Sequence, residues 1–97
     1  MTLAFDIDGT WDRDVDLWLA FYWTAIKRGH HCLFVTGAEQ PAEKLARLCL
    51  PENAPVIVAR GELKETAARR AGYRVDVWID DMPGMIRECR ILGGEIS

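Results

Sequence analysis

The sequence predicts a three-layer α/β sandwich around a parallel sheet of four to five strands. Two observations carry this. Short apolar runs recur at residues 3–7, 32–35, 55–59 and 74–79, and stretches with helical patterning lie between them. The runs are mostly apolar rather than alternating, as in strands buried on both faces, and the intervening helices supply the covering layers.

The first run, LAFDI, reads as a strand interrupted by Asp6 and bounded by Gly9. Residues 14–28 read as a helix with acidic residues at its start, Lys27 and Arg28 at its end, and Gly29 as its stop. A second strand over residues 32–35 ends at Thr36-Gly37. The helix predicted over residues 41–48 has Pro41 near its first turn and Pro51 just past its end. PVIVA, residues 55–59, is the third strand, and residues 63–71 the third helix, closed by Gly72. RVDVWI, residues 74–79, is the fourth strand and runs into Asp80-Asp81. A last helix is expected over residues 83–92, stopped by Gly93-Gly94, with Glu95-Ile96-Ser97 as the stub of a fifth strand.

Ninety-seven residues, 49% hydrophobic and 28% charged, fit one domain over residues 1–97 that buries roughly 65% of its unfolded surface. A net charge of −3 argues against a broad polyanion-binding face. Lys27-Arg28 and Arg69-Arg70 read as solvated helix ends. No apolar run approaches the ~20 residues of a membrane span, and no basic segment leads into an apolar one, so the expectation is a cytoplasmic protein with no membrane partner. Cys32, Cys49 and Cys89 are odd in number, lack metal-type spacing and sit among apolar residues, which reads as reduced core thiols.

Crossovers in a parallel sheet are right-handed, and ligands bind beyond the C-terminal strand ends. Asp6 and Asp8 end the first strand, Thr36 the second, and Asp80 and Asp81 the fourth, while Lys64 starts the helix after the third. All are expected at one rim. Neighbouring carboxylates repel, and burial raises the cost unless a cation joins them. An all-oxygen set suits Mg²⁺ better than zinc, which favours Cys and His. Gly9 lets the backbone turn at once, so that Asp8 can face the same substrate as Asp6.

DIDGT at residues 6–10, the strand ending VTG at Thr36, Lys64 heading a helix and WIDD ending at Asp81 resemble, in order, the four motifs of the haloacid dehalogenase superfamily. The resemblance runs from Leu3 to about Leu92, and the first motif is its most specific part. It implies a Rossmann-like core and a Mg²⁺-dependent phosphomonoester hydrolase. By that resemblance Asp6 is the nucleophile that forms an aspartyl-phosphate and a metal ligand. Asp8 is the general acid and then the general base, its backbone carbonyl also binding metal. Thr36 and Lys64 stabilise the transferring phosphoryl group, Asp80 is a direct Mg²⁺ ligand, and Asp81 binds through water or orients Lys64. Lys44 is the competing lysine. Lys64 is preferred because it heads the helix leading into the fourth strand, as the superfamily's lysine does.

Two features depart from the superfamily pattern. Only a short segment follows Thr10 before the first helix, which implies a minimal core with no cap domain and an open site. Trp11 stands where an aliphatic residue is usual, and reads either as a stacking surface for a base or sugar or as packing under the loop. The substrate expected is a phosphorylated small molecule, such as a nucleotide, or a nucleic-acid end. At 100° per residue, Val15, Trp18, Leu19, Tyr22 and Ile26 form one apolar stripe of the first helix, with Leu17 and Phe21 opposite. This predicts a second buried face, a homodimer contact, unless those two residues are singly exposed or covered by residues 11–13. His30 and His31 fall at the far end of the sheet and take no chemistry.

Two other readings compete. One is a noncatalytic phosphate- or partner-binding module on the same fold, against which the intact Asp8 counts. The other is a response-regulator-like receiver; its phosphorylated Asp would end the third strand, and PVIVA carries none.

Overall fold

The apolar run after Met1 becomes β1 (Thr2–Phe5) in the computed structural model of the chain, which describes residues 1–88. It pairs in parallel with β2 (His31–Thr36) on one side and β4 (Val77–Ile79) on the other, and β2 pairs in parallel with β3 (Val56–Val58). The sheet order is β3-β2-β1-β4, with Phe5 opposite Phe34 and Ile79.

Three α-helices make the crossovers: α1 (Val15–Lys27), α2 (Ala42–Arg47) and α3 (Lys64–Arg70). Asp14 caps α1 by accepting the Leu17 N–H at 3.2 Å, satisfying a donor that the helix itself leaves free.

Successive side chains of a strand point to opposite faces, and here both faces are covered. Leu3, Phe5, Cys32 and Phe34 pack with Trp11, Tyr22 and Ala25, against which Leu45 and Leu48 of the α2 region also lie. Ala4, Leu33 and Val35 pack on the opposite side with Ala68 of α3, joined by Tyr73, Val75 and Trp78. Steps β1 to β2 to β3 thus run outward with helices on one face, and α3 returns across the other to lay β4 beside β1. The strand order reverses between β1 and β4, which puts the ligand-binding crevice of such a sheet at their C-terminal ends.

Several expectations are corrected. The first strand stops at Phe5 because the Ile7 carbonyl accepts the Thr10 and Asp12 N–H groups and so serves a turn, although Ile7 stays fully buried. Over its described residues, 83–88, the expected last helix forms only a 3-10 turn at Pro83–Met85, with Gly84, a poor helix former, at its centre. Residues 89–92 of that expected helix, Cys89 and the expected strand stub at 95–97 lie outside the described residues.

Cys32 is buried as expected, but Cys49 is exposed. It follows the end of α2 in a left-handed conformation, φ 56°, while the flanking Leu48 and Leu50 turn toward the core in its place. Of the two readings of Trp11, packing under the loop holds, and the ring is not a surface for stacking ligands. Its ring is fully buried, 4.8 Å from Phe34 and 5.4 Å from Phe5 in edge-on packing, and its Nε1–H donates to the Leu48 carbonyl at 2.8 Å.

On α1, Tyr22 is buried and Val15, Trp18, Leu19 and Ile26 pack against the core, while Leu17, Phe21 and Trp23 remain 54%, 42% and 48% exposed. No helix among the described residues is long and apolar enough to cross a membrane.

Candidate functional site

The backbone brings the acids together. Asp6 N–H donates to the Ile79 carbonyl at 2.9 Å, which ties the end of β1 to the end of β4 and sets Asp6 beside Asp80 and Asp81. Carboxylate oxygens of the three lie within 4.8 Å of one another.

Lys64, the first residue of α3, enters this group from the neighbouring loop. Its Nζ donates to Asp6 Oδ1 and to Asp80 Oδ2, both at 2.7 Å. The other Asp80 oxygen accepts the Met82 N–H at 2.8 Å, so this carboxylate is held at both ends. Thr10 Oγ1 lies 3.4 Å from Asp6 Oδ2 and 3.3 Å from Asp81 Oδ1, and accepts the Asp81 N–H at 3.2 Å. A hydroxyl has one proton, so it serves one of these carboxylates at a time.

Gly9 permits the close approach of this turn to Asp81. Its φ is +86°, and a Cβ there would lie 2.5 Å from Asp81 Oδ2.

Asp8 points elsewhere. Its carboxylate accepts from Lys44 Nζ at 2.6 Å and from Gln40 Nε2 at 3.0 Å, and Gln40 also donates to the Thr36 hydroxyl at 3.1 Å. The carboxylate cluster therefore contains Asp6, Asp80 and Asp81, without the Asp8 side chain. Asp6, Asp8, Thr36, Lys64, Asp80 and Asp81 nevertheless line one cavity of about 410 Å³, with Gly37, Ala38, Gly61, Met82 and Met85.

Burial shapes the charges. It pushes the Asp6 carboxyl up to about 6, against the Lys64 hydrogen bond and charge, and Asp81 and Asp80 act in the same direction as burial. Burial works to lower the Lys64 ammonium, but its bonds to Asp6 and Asp80 outweigh that and leave it raised. The Lys44 hydrogen bond holds the more exposed Asp8 below the usual carboxylate range.

Three carboxylates around one ammonium make a site short of positive charge. The donors are all hard oxygens, with neither sulfur nor imidazole in the cluster, and the three carboxylates lie close enough together to hold a metal ion.

Lys44 was the less favoured lysine in the sequence, yet its ammonium reaches this rim too. Gln40 and Thr10 carried no expected role. Gln40 lies between β2 and α2, where no helical period places a side chain, so the sequence carries no signal for it. His30 lies 3.0 Å from the Met1 amino group through Nδ1, at the opposite end of β1.

In comparisons with protein-family models, curated proteins and solved structures, nothing matches this chain.

Proposed function

We propose that the chain is a Mg²⁺-dependent phosphomonoester hydrolase of the haloacid dehalogenase type, a capless core working through an aspartyl-phosphate. The observation that carries this reading is the buried Asp6, bridged to Asp80 by Lys64 and opening on the cavity that also holds Thr36 and Asp8.

Asp6, Asp80 and Asp81, with the Asp8 backbone carbonyl, would hold the cation. When bound, it supplies charge neutralisation to the phosphoryl oxygens. A carboxylate oxygen of Asp6 attacks phosphorus, the ester P–O bond breaks, and Asp8, in the minority state that carries a proton, gives that proton to the departing oxygen. Asp8, now ionised, takes a proton from water, whose oxygen attacks phosphorus and frees Asp6 with release of phosphate. Lys44 and Gln40 favour the ionised Asp8 that this second step uses. Thr36 donates its hydroxyl to the phosphoryl group, and Lys64 keeps Asp6 oriented while offsetting its charge.

The test is phosphate release from nucleotides, sugar phosphates, 5′-phosphorylated oligonucleotides and an aryl phosphate, with Mg²⁺ and with chelator. Release that chelator stops, and that Asp6→Asn and Asp8→Asn abolish, supports the reading; an Asp6→Asn variant with wild-type turnover sinks it. One observation favours a second reading, a noncatalytic phosphate-binding module: Asp8 is engaged by Lys44 and Gln40 rather than gathered with Asp6. Mg²⁺-dependent phosphate binding with no release from any substrate would select it.

A further inference from the structure

Met82 and Met85 lie on the turn after β4 and have no part in the chemistry above. Both line the cavity that holds Asp6, Thr36 and Lys64, and both keep large apolar side chains in water, 58% and 45% exposed. Their backbone is anchored on both sides. Met82 N–H is held by Asp80 Oδ1 at 2.8 Å, Met85 N–H by the Met82 carbonyl at 2.9 Å, and the carbonyl of buried Ile86 accepts the Glu65 N–H of α3 at 2.9 Å. The turn that presents Asp80 to the cluster therefore also fixes the backbone from which the two thioethers project.

The cavity's lining is mixed in character. Its charged and hydroxyl side chains, Asp6, Asp8, Thr36, Lys64, Asp80 and Asp81, are those the proposed reaction uses, and its remaining lining among the described residues is Gly37, Ala38, Gly61 and the two methionines. That remainder offers no side-chain partner for the hydroxyls of a sugar or of glycerol. Thioethers are polarizable, conform to flat surfaces and make favourable contacts with aromatic rings. At about 410 Å³ the cavity is near the small end of the roughly 300–1,000 Å³ range of ligand sites, room for a phosphoryl group and a single ring system.

We infer that Met82 and Met85 form the leaving-group wall of this site, and that its substrates are phosphomonoesters bearing an aromatic ring rather than sugar or polyol phosphates. The inference rests on the phosphomonoester reading above. Trp11, buried beneath the loop, leaves the recognition of a ring to these two side chains.

The experiment uses the three methionines of the chain, Met1, Met82 and Met85, labelled with ¹³C at their methyl groups. In the presence of Mg²⁺ the protein is titrated with methylphosphonate, phenylphosphonate and a nucleoside 5′-phosphonate, none of which can be hydrolysed. Ring-bearing phosphonates should move the Met82 and Met85 signals upfield by ring current, leave Met1 in place, and bind roughly tenfold tighter than methylphosphonate. Met82→Ala and Met85→Ala should each cut that preference roughly two- to tenfold. The stronger of the two ring-bearing ligands tells a simple aryl group from a nucleobase. Equal binding of all three with unmoved methionine signals overturns the methionine wall and leaves the phosphoryl site standing. No phosphonate binding at all overturns the phosphomonoester reading, and the wall with it. The wild-type spectrum decides between these outcomes without either variant.

Discussion

Lys64 and Asp6 form a 2.7 Å ion pair whose side chains are only 5% and 7% exposed, and the same ammonium holds the almost fully buried Asp80 at 2.7 Å. One cation thus supports two buried carboxylates just past the ends of different strands. Removing it would leave both without a counter-charge in a poorly solvated place, and such losses cost about 3–5 kcal/mol. Lys64→Met should destabilise the chelated protein by that amount in urea unfolding. Mg²⁺ should then restore more stability to the variant than it adds to the wild type, because the cation takes up the same unpaired oxygens. In a phosphate-release assay the loss should reach about 10²-fold or more.

Alkaline destabilisation should begin in the apolar core, with the raised Lys64 of the site adding to it only at higher pH. Burial pushes the Cys32 thiol above its ordinary value of 9.0, and burial together with the charge of Cys32 pushes the Tyr22 phenol above 10.0. Each acid keeps its proton longer in the folded than in the unfolded chain. Between the unfolded and folded values the folded state binds more protons, so stability falls as pH rises. The decline should begin near pH 9 as unfolded Cys32 ionises, with Tyr22 adding to it above pH 10. Urea midpoints measured from pH 7 to pH 10 should show a downward slope that Cys32→Ala flattens at its onset. At pH 8, iodoacetamide followed by peptide mass spectrometry should find exposed Cys49 modified well before Cys32.

Trp11 gives a third expectation. Its ring contacts Phe5 and Phe34 edge-on, and its N–H satisfies the Leu48 carbonyl, so it joins the first turn to the end of α2. Trp11→Ala should cost about 3–5 kcal/mol. Trp11→Phe should cost about 1–3 kcal/mol, because the carbonyl loses its donor even where the ring volume is partly kept. Urea unfolding of the two variants checks both values; a cost near zero for either would mean the ring is not core.

The contrast between Trp11 and the acids marks how far the sequence could be read. Apolar runs that end in Asp or Thr placed the polar residues at strand ends, and a parallel sheet sends such ends to one edge, so the common rim was legible. The interior strands β1 and β2 were legible for the same reason. Among the described residues β3 and β4 pair on one side only and expose Val56 and Val77, each at 37%, and their ladders are shorter than the apolar runs suggest. The pairing of Lys64 with Asp6 was legible through the resemblance, but that Asp80 rather than Asp81 meets Lys64, and which donors hold Asp8, was not. Thr10, Gln40 and Lys44 reach their partners through the turn at Gly9 and the entry to α2, and a lone residue in a turn carries no directional signal. Trp11 stayed open between its two readings on that account, while Met85 lay in a segment whose pattern suggested a longer helix.

Gly9 is where that turn is most constrained. Its φ of +86° is one that side chains with a Cβ adopt only at a cost, and the added methyl would sit 2.5 Å from Asp81 Oδ2, inside any real contact distance. Gly9→Ala therefore acts twice: it strains the backbone by about 1–3 kcal/mol, and it drives the Asp81 carboxylate outward from Asp6 and Asp80. The Gly9 N–H, which donates to Asp12 Oδ1 at 2.9 Å, helps hold the turn and limits its escape into another conformation. The variant should lose stability by that amount in chelator, and the stabilisation given by Mg²⁺ should shrink as well. Thermal unfolding at several Mg²⁺ concentrations separates the two effects. A Gly9→Ala protein with lowered stability but a full Mg²⁺ response would show that Asp81 is not needed to hold the cation, leaving Asp6 and Asp80 as its carboxylate ligands.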